Sequence, residues 1–127
     1  MADRRFFKCR HCGNFIGMIN SSGVPVVCCG EPMSEVIAGS VEASVEKHLP
    51  VVTVDGDTVS VSVGSAEHPM AAEHYIMWIY IETENGGQRK VLKPNELPKA
   101  VFKLSGDKAV AAYALCNLHG LWKTDIK

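Results

Sequence analysis

The run Cys116-Asn117-Leu118-His119-Gly120 sets the hardest condition on how this chain can fold. It places a thiol and an imidazole three positions apart, close enough for both to reach one metal ion. His48, His68 and His74 stand far upstream in polar, turn-like contexts, and the 127 residues hold only 5 histidines. Taken singly, each has a plain reading. His48 before Leu49-Pro50 suits a loop, His68 in Glu67-His68-Pro69-Met70 suits a turn, and His74 suits a core histidine at the head of an apolar strand. Together with Cys116 and His119 they form a set of donors that the fold must gather. Four imidazoles and one thiolate favour iron over zinc, because a structural zinc site closes at four ligands. On a metal that accepts six ligands, five protein donors leave one position for chemistry.

The other four cysteines lie at positions 9, 12, 28 and 29. Met1 to Arg5 leads directly into Cys9 with no apolar segment resembling a secretory signal, which points to a cytoplasmic protein. In a reducing compartment such a cluster binds metal more often than it forms disulfides. Cys9-Arg10-His11-Cys12-Gly13 reads as a metal knuckle, its glycine permitting the tight turn. Phe15 to Ile19 and Val24 to Val27 read as a hairpin around Asn20-Ser21-Ser22-Gly23, delivering Cys28-Cys29. Adjacent cysteines cannot form the chelate loop of a second C-x2-C knuckle, so a distorted tetrahedron is expected. Spacing alone leaves iron and zinc both open for this site. His11 is expected to face solvent, since four thiolates already complete the shell. A piece of this size has too little core to fold without a metal or disulfides.

Residues 38–127 read as an all-β domain. Val51 to Val54, a turn at Asp55-Gly56-Asp57, and Thr58 to Val63 form a hairpin pattern with period-two alternation. His74 to Ile81 is rich in aromatic and β-branched residues and ends before a turn at Asn85-Gly86-Gly87; Gln88 to Leu92 and Ala100 to Leu104 are shorter strands. Lys108 to Leu115 has alanines that would suit a helix, but its length and neighbours assign it as a strand. Several short strands at this spacing favour a sandwich or barrel. The 13 basic residues are scattered and the formal net charge is −1, which argues against a nucleic-acid surface. No apolar run approaches the ~20 residues that span a bilayer, so no membrane is expected either.

The residues Cys9-x2-Cys12, Cys28-Cys29, Glu46-Lys47-His48-x-Pro50, Glu67-His68-Pro69-Met70, His74-Tyr75-Ile76 and Cys116-Asn117-x-His119-Gly120 resemble desulfoferrodoxin, the two-iron superoxide reductase. The resemblance covers essentially the whole chain; one-iron relatives, the neelaredoxins, lack the full set of N-terminal cysteines. It implies a desulforedoxin-like four-cysteine iron domain over residues 1–37 and an immunoglobulin-like β-sandwich over residues 38–127. It further implies a ferrous ion held by His48, His68, His74 and His119 in a plane with Cys116 axial, and reduction of superoxide to hydrogen peroxide at the open sixth position. Glu46 is implied to ligate the ferric ion after product leaves, and Lys47 to draw the superoxide anion and organise water. A homodimer and an electron donor such as rubredoxin are also implied. Two rival readings remain: a non-catalytic iron electron carrier, and a structural zinc protein whose β-domain binds a partner.

Overall fold

The computed structural model describes residues 5–126, so residues 1–4, which lead into the first cysteine knuckle, and Lys127 lie outside the described residues. The chain separates into two compact units, Met1–Ile37 and Ala38–Lys127. Strands dominate both. No helix is long and apolar enough to cross a membrane among the described residues.

The first unit contains β1 (Arg5–Lys8), β2 (Phe15–Met18), β3 (Val27–Cys28), β4 (Glu31–Pro32) and β5 (Ser34–Val36). Its three-stranded sheet runs β2-β1-β5, and β3 and β4 form a separate two-stranded ribbon. The expected hairpin between Phe15–Ile19 and Val24–Val27 does not form. Phe15–Met18 pairs instead with Arg5–Lys8, with Phe6 opposite Gly17, while residues 21–26 are irregular. Pro25 has no N–H to give a ladder, and β1, which carries Phe6 and Phe7, offers β2 a better partner.

The second unit begins with a four-residue helix, α1 (Val45–His48), followed by β6 (Pro50–Asp55), β7 (Thr58–Val63), β8 (Ile76–Thr83), β9 (Gly86–Val91), β10 (Lys99–Lys103), β11 (Ala109–Cys116) and β12 (Gly120–Asp125). The strands form a sheet of order β10-β7-β6 and a sheet of order β12-β11-β8-β9. A shared apolar core draws Val59, Val61 and Val63 from the first sheet and Ile79, Ile81, Ala112 and Ala114 from the second. This is a seven-strand sandwich, the one of the two architectures left open by the strand pattern that the family resemblance implied. The β6–β7 hairpin closes at Asp55 opposite Thr58, with Gly56 at φ 59° in its two-residue loop. Along β7 the valines are buried, and Thr58, Ser60 and Ser62 alternate with them on the other face.

Several boundaries differ from the sequence expectation. The strand after His74 starts at Ile76 and leaves the histidine in a turn of its own. The β8–β9 turn is Glu84-Asn85, so Gly86 and Gly87 belong to β9. A Cβ at Gly87 would collide with the Tyr80 hydroxyl, which explains a glycine inside a strand. The alanines of β11 form no helix: its backbone pairs with both β8 and β12 in the middle of the sheet, and Ala112 and Ala114 face the core. The helix α1 and the strand β12 were not legible in the sequence pattern.

Candidate metal centres

The histidines singled out in the second unit lie at the end of a short helix or in connections next to strand ends. His48 is the last residue of α1, whose turn is closed by Leu49 N–H donating to the Val45 carbonyl at 2.9 Å. His68 follows β7 and donates its backbone N–H to the Val63 carbonyl at 2.9 Å. His74 sits in a narrow turn bridged to Ala71, immediately before β8. Cys116 ends β11, and His119 occupies the turn into β12, where Gly120 pairs with Cys116 at φ 77°. Connections on a rigid scaffold can place such groups without disturbing the core.

The four imidazoles form a closed ring. Neighbouring ring centres lie 4.6 Å apart for His48–His68, 4.7 Å for His68–His74, 5.1 Å for His74–His119 and 5.0 Å for His48–His119, each pair edge to face. The diagonal His48–His74 is longer, at 6.3 Å, so the rings mark the corners of an approximate square. His48 Nε2 lies 3.1 Å from His68 Nε2 and 3.2 Å from His119 Nδ1. Cys116 Sγ lies 3.9 Å from His119 Nδ1. The ligand atoms of His48, His68, His74 and Cys116 all fall within 4.8 Å of one another.

The hydrogen bonds at the rim say which atoms face inward. His48 Nδ1 is 2.7 Å from the Ser44 carbonyl, and His68 Nδ1 is 2.7 Å from the Pro69 carbonyl. A carbonyl only accepts, so each Nδ1 carries the proton and each Nε2 presents its lone pair to the centre. His74 Nε2 is buried with no partner at all. A buried polar atom left unmatched costs free energy, and a metal ion held by these residues would satisfy it. Burial lowers the pKa of His48, and pushes that of His68 down to about 4 against the opposing bond to Pro69. Both rings are therefore neutral near pH 7, the state in which imidazole ligates. The donor set, its inward aim and its neutrality fit a transition metal that takes imidazole and thiolate.

Two further residues touch this ring without having stood out in the sequence. Trp122 packs 4.9 Å from the His48 ring at an interplanar angle of 30° and donates Nε1–H to the His119 carbonyl at 3.1 Å. Asn117 bonds to the chain on both sides of His74. Only their nearness to the Cys116-x2-His119 pair could have pointed to them. Glu46 and Lys47 are exposed on α1 beside buried His48, and among the described residues neither side chain has a hydrogen-bond or ion-pair partner.

In the first unit, the sulfurs of Cys9, Cys12, Cys28 and Cys29 lie within 4.8 Å of one another. Cys12 Sγ is 3.6 Å from Cys28 Sγ, which is 4.0 Å from Cys29 Sγ. Four thiolates about 2.3 Å from a tetrahedral metal stand about 3.8 Å apart, so these sulfurs fit one ion. The adjacent pair reaches a single point because Cys29 is left-handed, at φ 53°, with Gly30 following at φ 76°. Backbone N–H donation, chiefly from Cys12, brings the Cys9 thiol down to about 6. Sulfur contacts led by Cys12 and Cys9 push Cys29 up to about 12. Such mutual opposition is what a cation relieves. Asn14 Nδ2 lies 3.5 Å from Cys28 Sγ. His11 is exposed and lies 3.0 Å from Glu31, which also pairs with Arg10, so it takes no place among the sulfurs.

Comparison with known proteins gives the same partition. The family model "Desulfoferrodoxin" matches residues 40–125, and "Desulfoferrodoxin, N-terminal domain" matches residues 3–36. The desulfoferrodoxin of Nitratidesulfovibrio vulgaris is 41% identical over 119 residues, covering 94% of each chain. The desulfoferrodoxin homolog of Archaeoglobus fulgidus is 42% identical over 118 residues, covering 93% of this chain and 94% of its own. The crystal structure of the superoxide reductase from Treponema pallidum superposes with a TM-score of 0.81 at 40% identity, covering 98% of this chain and all of its own. The one-iron superoxide reductase from Giardia intestinalis matches 65% of this chain and 98% of its own, with a TM-score of 0.56 and 30% identity. By both family models and by relatives of this identity along nearly its whole length, the chain belongs to the desulfoferrodoxin family.

Proposed function

We propose that this protein is a two-iron superoxide reductase, with one iron on the four cysteines of Met1–Ile37 and a catalytic iron on the five donors of Ala38–Lys127. The observation that carries the reading is the square of four imidazoles with the Cys116 thiol at contact distance. Bound there, ferrous iron supplies the one electron that, with two protons, converts superoxide to hydrogen peroxide. The residues do the remainder. His48, His68, His74 and His119 would hold the ion through ring nitrogens, and Cys116 would add the electron-rich fifth donor.

Lys47 provides the local positive charge. With a formal net charge of −1 the chain as a whole does not draw an anion, so attraction of superoxide falls to a group beside the site. The Lys47 ammonium, next to ligand His48 and without a competing partner among the described residues, can meet the anion and order the water that delivers protons. Glu46 is assigned the carboxylate that closes the vacant position once product has left. The four-cysteine iron, with no open position, is assigned electron storage or transfer. A rubredoxin-type donor, a homodimeric assembly and a cytoplasmic location complete the reading, the last supported by five free cysteines.

Rapid mixing of the reduced, iron-loaded protein with superoxide tests it. The expected result is oxidation of the histidine-ligated iron with peroxide formed and no matching release of oxygen. Stoichiometric oxygen would indicate a dismutase instead. An inert iron that neither reacts nor responds to azide or cyanide would indicate an electron carrier.

A further inference from the structure

The rings of His48 and His68 are tethered by Nδ1 to backbone carbonyls. His74 has no ring bond of this kind among the described residues, and its buried Nε2 is unmatched. Its direction is therefore set by packing against His68 and His119 and by its backbone. The peptide groups of His74 itself pair with Ala71, at 3.0 Å and 3.1 Å. Those of its two neighbours are taken by one residue. Asn117 Oδ1 accepts the Tyr75 N–H at 2.9 Å, Asn117 Nδ2 donates to the Glu73 carbonyl at 3.1 Å, and the Asn117 N–H donates to the Tyr75 carbonyl at 3.2 Å. A carboxamide suits this role because it carries a donor and an acceptor side by side. Reversing it would set donor against donor at Tyr75 and acceptor against acceptor at Glu73.

Asn117 also follows Cys116 directly and stands two residues before His119. Three candidate ligands from two distant segments thus share one clasp. We propose that Asn117 is a positioning residue that locks the His74 turn to the Cys116–His119 turn, holding His74 Nε2 aimed at the centre before metal arrives. This rests on the reading that the five side chains hold one metal ion. It explains why a largely exposed asparagine, remote from the core, is bonded at three points. Groups that orient metal ligands typically change metal affinity 10- to 100-fold when removed.

The test measures iron release to a chelator from the full-length, iron-loaded protein, with the four-cysteine iron as internal reference. Asn117→Ala is expected to release iron from the histidine site roughly 10- to 100-fold faster, to alter the electron paramagnetic resonance signal of the oxidised site, and to leave the four-cysteine iron unchanged. Asn117→Asp keeps the acceptor for Tyr75 but loses the donor to Glu73, so it should fall between parent and alanine variant. It also serves if the alanine variant fails to fold. Parent-like release and spectrum in the folded variants would overturn the proposal. His74→Ala separates the two levels of the argument. If its release is fast while Asn117→Ala and Asn117→Asp match the parent, only the proposal fails; if His74→Ala itself leaves release unchanged, the five-donor reading fails.

Discussion

Residues next to each other on α1 are given opposite tasks by their side of the backbone. His48 is 3% exposed and turns into the ring of donors, while Glu46 and Lys47 face solvent. His48 and the two residues proposed to act beside it thereby lie on one helical turn. Among the described residues Lys47 has no ion-pair partner, which suits the role proposed for it of drawing an approaching anion. Lys47→Ile is expected to slow the second-order reaction with superoxide by about tenfold at low salt, the lower end of electrostatic steering effects. The difference from the parent should narrow as salt rises, because screening removes the advantage that the parent holds. Stopped-flow rates at several ionic strengths check both parts. A parent-like rate at every salt concentration removes Lys47 from the mechanism.

At the scale of elements, the turn after β7 fixes α1. The Glu46 carbonyl accepts the Ala66 N–H at 2.9 Å and the Ser65 hydroxyl at 3.3 Å. Gly64 lies so close beneath that a Cβ there would strike the Glu46 carbonyl and the Lys47 backbone. The glycine is thus needed for close approach between the strand end and the helix that carries His48. Gly64→Ala should cost roughly 1–3 kcal/mol of stability, as other overpacked sites do, and should slow the superoxide reaction by displacing Glu46 and Lys47. Denaturant midpoints and reaction rates measured on the same variant check this. A variant with parental midpoint and rate would show that the turn yields at no cost. A comparable economy shapes the first unit, where a left-handed Cys29 does in one residue what a second C-x2-C knuckle does in four.

For the whole molecule, the imidazole ring couples stability to pH. Burial holds His68 at about 4 in the folded chain, below its ordinary value of 6.5, and His48 is lowered by the same cause. Between those values the unfolded chain binds more protons than the folded one, so stability of the metal-free protein rises with pH across the window. It is fully present above about 6.5 and is lost as pH falls towards 4. Thermal midpoints of the metal-free protein should therefore decline on acidification through this range. His68→Gln should flatten the decline; an equal slope in parent and variant would assign the acid sensitivity to other groups. The first unit depends on its metal in a different way. Among its described residues only Phe6 and Cys9 are buried, which is little apolar area to hold a fold together.

How much was legible differs between the two sites. The strands of β6 and β7 follow from alternation and a glycine turn, since a half-buried sheet requires period two wherever it occurs. The four-cysteine cluster was legible for a similar reason: its ligands are close in sequence, and metal binding by them would supply free energy of folding. The pairing of β2 with β1 was not legible, because alternation shows that a strand exists but not which neighbour it takes. Helix α1 is a single turn and too short to carry a period. The sequence by itself determined the donor types and the apolar face of β7. Only the tertiary structure decided that the imidazoles stand as a square, that their Nδ1 or Nε2 atoms face inward, and that Asn117 and Trp122 brace them. Those outcomes depend on distances between segments far apart in the chain, and such distances exist only once the two sheets have closed over their core.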